Sequence, residues 1–266
     1  MDKAQGRPRL YRRGLEAGQG SKVTLSSGGR DITCDLYTEE GMALVAGLWV
    51  KLSAEFRRMY EPSWLGVPVI QLPEDIVAMQ ELIWRLRPDI IIETGVAHGG
   101  SLILYASICE MIGHGRVVGI DIEIRKYNRV AMQAHPMWRR IALIEGSSVD
   151  AATFEKVQAE SQGARTVLVT LDSNHTRAHV AKELDLYHGL VTPGSYLVAA
   201  DGAQADVWDI PRGKPEWRND HPSQAIEEFL KRHPEFVNDP HYTRLSITST
   251  PGGFLRKLTQ EETKAG

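Results

Sequence analysis

The sequence predicts an α/β fold built on a doubly wound, mostly parallel sheet. From about Pro73 onward, short and continuously apolar segments alternate with segments of helical periodicity, which is typical of parallel strands covered by helices on both faces. Five of these apolar segments end at an acidic residue: Glu93, Asp121, Glu145, Asp172 and Asp201. Because ligands bind outside the carboxyl ends of such strands, we expect these acids to ring one cleft.

The predicted elements follow one another in a regular order. Strands are predicted at residues 90–93, 117–121, 141–145, 167–172 and 196–201, with closing strands at 236–242 and 253–257. Helices are predicted at 73–86, at 101–111, before His135, around 153–159, at 177–187 and at 223–232. The irregular stretch 202–222 contains Trp208, Arg212, Trp217 and Arg218. We predict that it is a lid over an acceptor molecule, with a surface loop packed against another subunit as the alternative.

The segment 90–101 predicts a strand that breaks into a glycine-rich turn at the start of a helix. Gly95 allows a tight turn, while Gly99 and Gly100 let a ligand approach the free N–H groups of the helix. An acid stands two residues before a single glycine here, unlike the Gly-x-Gly-x-x-Gly pattern of dinucleotide sites. The spacing favours S-adenosylmethionine (SAM). The residues expected to hold it here are Glu93, Gly95, Ala97, Gly99 and Ser101.

The ends of the second and third strands predict the nucleoside part of the same site. Asp121 lies one βαβ step after the glycine turn, where an acid binds ribose hydroxyls. Ser147 and Ser148 follow Glu145, where the adenine or ribose edge is expected. A serine there caps the next helix equally well, and each acid has an N-cap or solvated loop position as its alternative.

Asp172 and Asp201 end adjacent predicted strands, so their carboxylates are expected to converge. Two carboxylates in a cleft can hold Mg²⁺ or Mn²⁺ or divide into acid and base roles. His175 lies three residues beyond Asp172, where it can deprotonate a substrate hydroxyl or simply stand in solvent at a helix start. We therefore predict Asp172 and His175 as catalytic, with Asp172 also touching the cofactor, and Asp172 and Asp201 as metal ligands.

Several segments taken together resemble the cephalosporin hydroxylase/rhamnosyl O-methyltransferase family. They are residues 64–68, 88–95 with 99–101, 144–148, 171–175 and 193–198. The resemblance implies a class I methyltransferase fold with a seven-stranded Rossmann-like sheet, a SAM cofactor, often a bound Mg²⁺, acceptors from antibiotic or sugar-decorating pathways, and a homo-oligomer. One departure concerns the metal. The family pattern has paired acids after the fifth strand, and this chain has Ala200 before Asp201; Asp206 or Asp209 is the proposed substitute.

The chain is predicted to divide into four parts. These are a flexible basic arm at 1–30, an N-terminal helical extension at 31–72, the methyltransferase domain at 73–258 and a tail at 259–266. Within the extension, the segment 44–60 carries Trp49, Leu52, Phe56 and Tyr60 at helical spacings. We predict that it is a packing helix that contacts the core or another subunit.

Composition narrows the partners. With 266 residues, 42% of them hydrophobic, the chain can bury one sizeable core, and its net charge of −3 does not suggest nucleic acid as a partner. No apolar run reaches the roughly 18 residues that span a membrane. The two cysteines, Cys34 and Cys109, are too few for a disulfide framework, so a cytoplasmic location is expected.

The function predicted from these features is methyl transfer from SAM to a hydroxyl of a small natural-product or sugar acceptor, with Mg²⁺ assistance if the metal is bound. One alternative is a SAM-binding accessory subunit of another biosynthetic enzyme. Another is an NAD(P)-dependent oxidoreductase, against which stand the turn spacing and the lack of any Tyr followed four positions later by Lys.

Overall fold

The computed structural model describes Gly18 and residues 20–265. The described residues divide into two compact units, one up to residue 46 and one from residue 47 onward. Residues 1–17, which make up most of the predicted basic arm, lie outside the described part of the chain. None of the described helices is both long enough and apolar enough to cross a membrane.

The first unit contains a β-hairpin that the sequence analysis missed. Strands β1 (Lys22–Ser27) and β2 (Arg30–Asp35) pair antiparallel. Gly28 and Gly29 join them with φ angles of 57° and 75°, the positive values that a two-residue hairpin turn requires. Residues 22–27 are thus a strand rather than the predicted flexible chain. Helix α1 (Glu39–Glu55) follows and is the long helix expected in the N-terminal extension.

The remaining elements alternate between helix and strand. After α1 come a 3₁₀ turn (Arg58–Tyr60), β3 (Ser63–Trp64), β4 (Val67–Pro68), α2 (Pro73–Leu86), β5 (Ile90–Thr94), α3 (Gly100–Ile112), β6 (Arg116–Asp121), α4 (Lys126–Ala134) and β7 (Ile141–Glu145). Then follow α5 (Ala151–Ser161), β8 (Val167–Leu171), α6 (Arg177–Tyr187), β9 (Tyr196–Ala199), α7 (Pro222–Arg232), β10 (Phe236–Asn238), β11 (Phe254–Lys257) and α8 (Gln260–Ala265). The predicted extension therefore holds short strands as well as a helix.

Seven of these strands form the main sheet, in the order β10-β11-β9-β8-β5-β6-β7. Strands β5 to β9 run parallel, and β11 runs antiparallel to both of its neighbours. The predicted doubly wound, mostly parallel seven-stranded sheet is confirmed. Strand β6 lies on one side of β5, and β8 lies on the other. The order of the strands along the sheet therefore changes direction at β5. A crevice opens at this switch point, at the carboxyl ends of the strands.

Burial explains why these strands are continuously apolar. Every residue of β5 and β8 is buried, because helices cover both faces of the sheet. Leu82 of α2 and Ile103 of α3 belong to the core on one face, and Leu184 of α6 and Phe229 of α7 belong to the core on the other. The predicted closing strand 236–242 is shorter than expected. It ends at Asn238, and Pro240, which has no N–H to donate to the sheet, begins a 3₁₀ turn.

Candidate active site

The turn after β5 leaves no space for a side chain at Gly95. Its φ is +92°, and a Cβ placed there would lie 1.9 Å from the carbonyl oxygen of Asp172. Gly99 and Gly100 each lie against another part of the protein. A Cβ at Gly99 would lie 2.2 Å from Sδ of Met132 in α4, and one at Gly100 would lie 2.0 Å from the carbonyl oxygen of Pro68. Both glycines therefore leave room for neighbouring parts of the protein, and Gly100 also lines the first of the cavities described next.

Two cavities lie on either side of this turn, and both are lined by Gly95. The first, which we call the donor cavity, has a volume of about 210 Å³ and is also lined by Ala97, Ser101, Asp172, His175 and Asp201. The second, the nucleoside cavity, has a volume of about 220 Å³ and is also lined by Asp121, Ser147, Ser148, Ser173, Asn174 and His179. The structure thus brings most of the predicted site residues to the carboxyl edge of the sheet. Two predicted cofactor residues, Glu93 and Gly99, line neither cavity.

Asp121 ties the glycine turn to β6. Its Oδ2 accepts hydrogen bonds from the backbone N–H groups of Val96 at 2.8 Å and Ala97 at 3.3 Å, and its Oδ1 accepts one from Glu123 at 3.1 Å. The carboxylate therefore shapes the turn as well as lining the nucleoside cavity. Glu145 departs from the predicted ring of acids, because its side chain is exposed and pairs with Arg129 at 2.6 Å.

Glu93 is a buried acid with one oxygen unused. The residue is 1% exposed, and its Oε2 accepts a 2.6 Å hydrogen bond from Oγ of Ser101. Its Oε1 is buried and accepts no hydrogen bond from the described residues. Burial raises the pKa of Glu93 to about 8. The side chain is therefore mostly protonated at neutral pH, and a cation placed beside it would favour its ionised form.

His175 lies between the two predicted metal ligands. Its Nδ1 is 2.8 Å from Oδ2 of Asp201, and its Nε2 is 3.4 Å from Oδ1 of Asp172. One ligand atom from each of the three residues lies within 4.8 Å of the others. The expected convergence of the carboxylates at the ends of β8 and β9 is therefore present, with the imidazole between them. Asp201 adopts a left-handed backbone conformation, with φ of 58°.

The charges of these three groups depend on one another. Burial raises the pKa of Asp172 to about 6. Burial alone would lower the pKa of His175, but the neighbouring Asp201 and Asp172 carboxylates outweigh it and raise that pKa well above its ordinary value. Burial also opposes ionisation of Asp201, yet the His175 imidazole holds the pKa of this carboxyl below its usual range. The arrangement favours an imidazolium held by Asp201.

The donor set suits a divalent cation. Two carboxylates offer the oxygen ligands that Mg²⁺ and Mn²⁺ prefer, and His175 adds a nitrogen that Mn²⁺ accepts more readily. Neither of the suggested substitutes for the acid absent at Ala200 joins this group in the structure. Asp206 is exposed, and Asp209 forms an ion pair with Lys51.

A third and larger cavity, the acceptor cavity, adjoins His175 and Asp201. Its volume is about 320 Å³. Its walls are mainly apolar and include Val50, Ala54, Met59, Leu72, Ala203, Val207, Ile210 and Trp217, with Arg57 and Arg212 among the polar residues. Trp217 and Arg212 belong to the predicted lid. Trp208 and Arg218 of the same stretch pack on each other instead, with the guanidinium 5.2 Å from the ring centre.

Sequence reasoning missed several residues of these cavities. The acceptor cavity takes Val50 and Ala54 from α1, which was predicted only as a packing helix. The nucleoside cavity takes His179, whose Nε2 lies 3.1 Å from Oγ of both Ser148 and Ser173. The polar run Ser173-Asn174 directly after β8 was the available signal for that part of the cavity.

Comparison with known proteins decides what kind of site this is. The family model described as Rhamnosyl O-methyltransferase/CmcI matches residues 57–258. The chain belongs to this family. As a Rhamnosyl O-methyltransferase/CmcI family member it is a SAM-dependent O-methyltransferase with a small-molecule acceptor. The family match also disfavours the oxidoreductase alternative.

Individual relatives agree with the family match. The rhamnosyl O-methyltransferase of Mycobacterium tuberculosis is 29% identical over 203 residues, covering 73% of this chain and 77% of the relative. The protein of the same name from Mycobacterium leprae is 27% identical over 197 residues, covering 73% of this chain and 82% of the relative.

Solved structures share the fold of this family member. An apo structure of CmcI superposes with a TM-score of 0.56 at 22% identity, covering 75% of this chain and 77% of the other. A structure of CmcI with Mg and SAM gives a TM-score of 0.53 at 21% identity, covering 75% of this chain and 78% of that one. These likenesses establish the class I methyltransferase fold.

Proposed function

We propose that this protein methylates a hydroxyl of a small natural-product or sugar acceptor, with His175 as the general base. One observation carries the proposal: His175 and Asp201 line both the donor cavity and the acceptor cavity. A methyl donor in one cavity and a hydroxyl in the other would meet beside this imidazole. Much of the rate enhancement would then come from holding the two reactants in line.

The residues around Gly95 fit SAM. Ser101 lines the donor cavity and orients Glu93 through Oε2, and the buried, unpartnered Oε1 of Glu93 would favour a positive charge nearby. Asp121, Ser147 and Ser148 line the nucleoside cavity and would face the ribose and adenine. When bound, SAM supplies a methyl group on a positively charged sulfur that an oxygen nucleophile can attack.

His175 would take the proton of the acceptor hydroxyl. Asp201 holds the ring through Nδ1, which leaves Nε2 as the atom that exchanges the proton. The carboxylates of Asp201 and Asp172 raise the pKa of His175. A divalent cation bound to these carboxylates would oppose that effect and favour the neutral imidazole, which can accept a proton.

Asp172 and Asp201 would hold a divalent metal, which we propose is Mg²⁺ or Mn²⁺. A bound metal would lower the pKa of the acceptor hydroxyl and so reduce the demand on His175. With Ala200 in the position before Asp201, the chain contributes two carboxylates and one imidazole to this cluster.

The walls of the acceptor cavity indicate the class of acceptor. Trp217 and the aliphatic residues suit a flat or largely apolar surface, such as an aromatic ring or one face of a sugar. Of the two arginines in the walls, Arg57 packs over the ring of Tyr60, and Nε of Arg212 lies 3.9 Å from Oε1 of Glu55. An acidic group on the acceptor would therefore compete with Glu55 for Arg212. The cytoplasmic location stays a prediction, and both cysteines are free and buried, as a reducing compartment allows.

Two measurements on the isolated chain test this function. Isothermal titration should detect SAM and S-adenosylhomocysteine at micromolar concentration, and Asp121→Ala should weaken that binding. Methyl transfer to phenolic and sugar hydroxyls should occur in the wild type and fall by at least a hundredfold in His175→Ala, with SAM affinity kept. Binding without methyl transfer to any acceptor would instead support the accessory-subunit alternative, and absence of binding would refute both.

A further inference from the structure

A second cluster of metal-ligating side chains lies away from the three cavities. His188 directly follows α6, His233 directly follows α7, and Glu235 directly precedes β10. One ligand atom of each lies within 4.8 Å of the others, and all three residues are half-buried. None of them lines the donor, nucleoside or acceptor cavity. The methyl-transfer reaction therefore gives no reason for these residues to be together.

One hydrogen bond fixes the tautomer of His188. Its Nδ1 lies 3.1 Å from the carbonyl oxygen of Leu184. A carbonyl can only accept, so Nδ1 carries the proton and Nε2 keeps a free lone pair. A backbone carbonyl that fixes the tautomer in this way is the usual partner of a metal-bound histidine.

His233 and Glu235 supply the other two donors. Nδ1 of His233 is 3.0 Å from Oε1 of Glu235, so a proton between them satisfies both atoms. Two ligand atoms bound to one Zn²⁺ at about 2.0–2.2 Å each can be 3.0 Å apart, which means that an ion can replace this proton. Metal binding at the pair would then release a proton.

Aromatic packing holds both imidazoles in place. The ring of His233 stacks on Phe229 at 4.3 Å between ring centres, and the two histidine rings are 4.4 Å apart. His188 also meets the edges of Phe229 and Phe236. Rings that are already fixed lose little conformational entropy when they bind an ion.

One positive group lies near the cluster and has its own partners. Nζ of Lys257 donates to the carbonyl oxygens of His188 at 3.3 Å and Val191 at 2.9 Å. These bonds hold the ammonium against the backbone. The charge of Glu235 still opposes the lowering of the Lys257 pKa by burial, so a cation bound at the cluster would compete with this ammonium for Glu235.

We propose that His188, His233 and Glu235 form a binding site for Zn²⁺ or a similar borderline divalent ion. Two imidazole nitrogens and one carboxylate oxygen are a ligand set typical of Zn²⁺ and Co²⁺, whereas Mg²⁺ prefers oxygen ligands alone. A bound ion would join the carboxyl ends of α6 and α7 to the start of β10. The bound ion would stabilise the fold and would take no part in methyl transfer.

Titration of the full-length Asp172→Asn/Asp201→Asn protein tests the proposal, because that background weakens the other candidate site. We expect it to bind about one equivalent of Zn²⁺ at micromolar or tighter affinity, to show visible Co²⁺ absorption bands, and to unfold at a higher temperature with Zn²⁺. His233→Gln in this background should weaken Zn²⁺ binding at least tenfold. His114→Gln, which changes an exposed histidine elsewhere, should leave it unchanged.

Two results would overturn the site. One is the absence of micromolar Zn²⁺ binding in the background protein. The other is unchanged Zn²⁺ affinity in both the His188→Gln and His233→Gln proteins when circular dichroism shows that they are folded. If either variant fails to fold, Glu235→Gln replaces it, because Gln has nearly the same shape as Glu and the position is more exposed. This variant should still weaken Zn²⁺ binding and abolish the stabilisation by Zn²⁺.

Discussion

Gly95 shows at the scale of one residue how the site constrains the sequence. Gly95→Ala would place a methyl group 1.9 Å from the carbonyl oxygen of Asp172 at a φ of +92°. We expect the change to lower the free energy of unfolding by about 3 kcal/mol, through clash and backbone strain together, and to weaken SAM binding. Chemical denaturation and isothermal titration measure the two effects.

A second glycine provides the matched control. Gly113 has nearly the same φ, +89°, but no described atom lies within 4 Å of a Cβ built there. Gly113→Ala should therefore cost only the strain of a positive φ, about 1 kcal/mol, and leave SAM affinity unchanged. If Gly95→Ala and Gly113→Ala lower the free energy of unfolding equally, the clash with Asp172 makes no contribution and the prediction is wrong.

Glu93 predicts a dependence of stability on pH. Its pKa is about 8 in the folded protein against 4.5 ordinarily, so the folded state keeps a proton that the unfolded chain releases. The stability contributed by this group is complete below about pH 4.5 and is lost as the pH rises through about 8. The free energy of unfolding of the wild type should fall by a few kcal/mol across this window. We expect no such fall in Glu93→Gln, because its side chain is neutral at every pH.

Denaturation of wild type and Glu93→Gln at several pH values between 4 and 9 checks this. Glu145→Gln is the control, because that carboxylate is exposed and should give a curve parallel to the wild type. A constant difference between wild type and Glu93→Gln over the whole range would contradict the raised pKa.

Individual site residues were predictable where local pattern decides them. Asp172 and Asp201 could be placed together because each lies within two residues of the end of a buried strand of one parallel sheet. The reason for Gly99 could not be found, since the side chain it faces is Met132, which lies beyond the next strand. His175 was recognised as a candidate base, but its contact with Asp201 joins two segments distant along the chain, which no local pattern predicts.

At the scale of elements, the two tryptophans of the stretch 202–222 have different surroundings. Trp217 lines the acceptor cavity, whereas Trp208 packs on Arg218. We expect Trp217→Ala to raise the acceptor KM about tenfold, because an aromatic contact of this kind contributes about 1–1.5 kcal/mol, and to leave SAM affinity unchanged.

Trp208→Ala in the same stretch removes an equal ring outside the cavity. Its acceptor KM should stay within twofold of the wild type. Steady-state kinetics with a saturating concentration of SAM separate the two variants. If both substitutions raise KM equally, the loop acts through its general order rather than through a contact of Trp217 with the acceptor.

The strength of the burial pattern explains which elements were predictable. The parallel strands are buried on both faces, so their sequences are continuously apolar and clear. The β1–β2 hairpin alternates half-buried Val23 and Leu25 with exposed polar residues, and this weak pattern lies beside a basic, glycine-rich segment. The end of the β10 strand depends on its neighbours in the sheet as well as on Pro240.

At the scale of the whole molecule, the acceptor cavity is the part that sequence could not provide. Its walls combine Val50 of α1, Leu72 before α2 and Trp217 of the stretch 202–222. No periodicity or spacing joins positions so far apart along the chain. The glycine-turn spacing and the acids at the strand ends predicted the donor side, because cofactor motifs are local, while acceptor pockets are assembled from distant loops.

Helix α1 carries an exposed apolar stripe that predicts self-association. Met42, Val45, Trp49 and Leu52 follow one another at spacings of three and four residues, and each is between 41% and 55% exposed. This spacing puts all four on one face of the helix, as in the contact seam of paired helices. We expect a second copy of the chain to cover the stripe, in agreement with the homo-oligomer predicted from sequence.

Light scattering after gel filtration tests this assembly. The wild type should elute with at least twice the mass of one chain, and Trp49→Lys/Leu52→Lys should shift it to the mass of a single chain, because two charges in an apolar seam lose their water without gaining partners. Trp84→Lys, at an exposed tryptophan on α2, should keep the wild-type mass. A wild type that runs as a single chain at 100 μM would mean that the stripe is free in solution or serves a different partner.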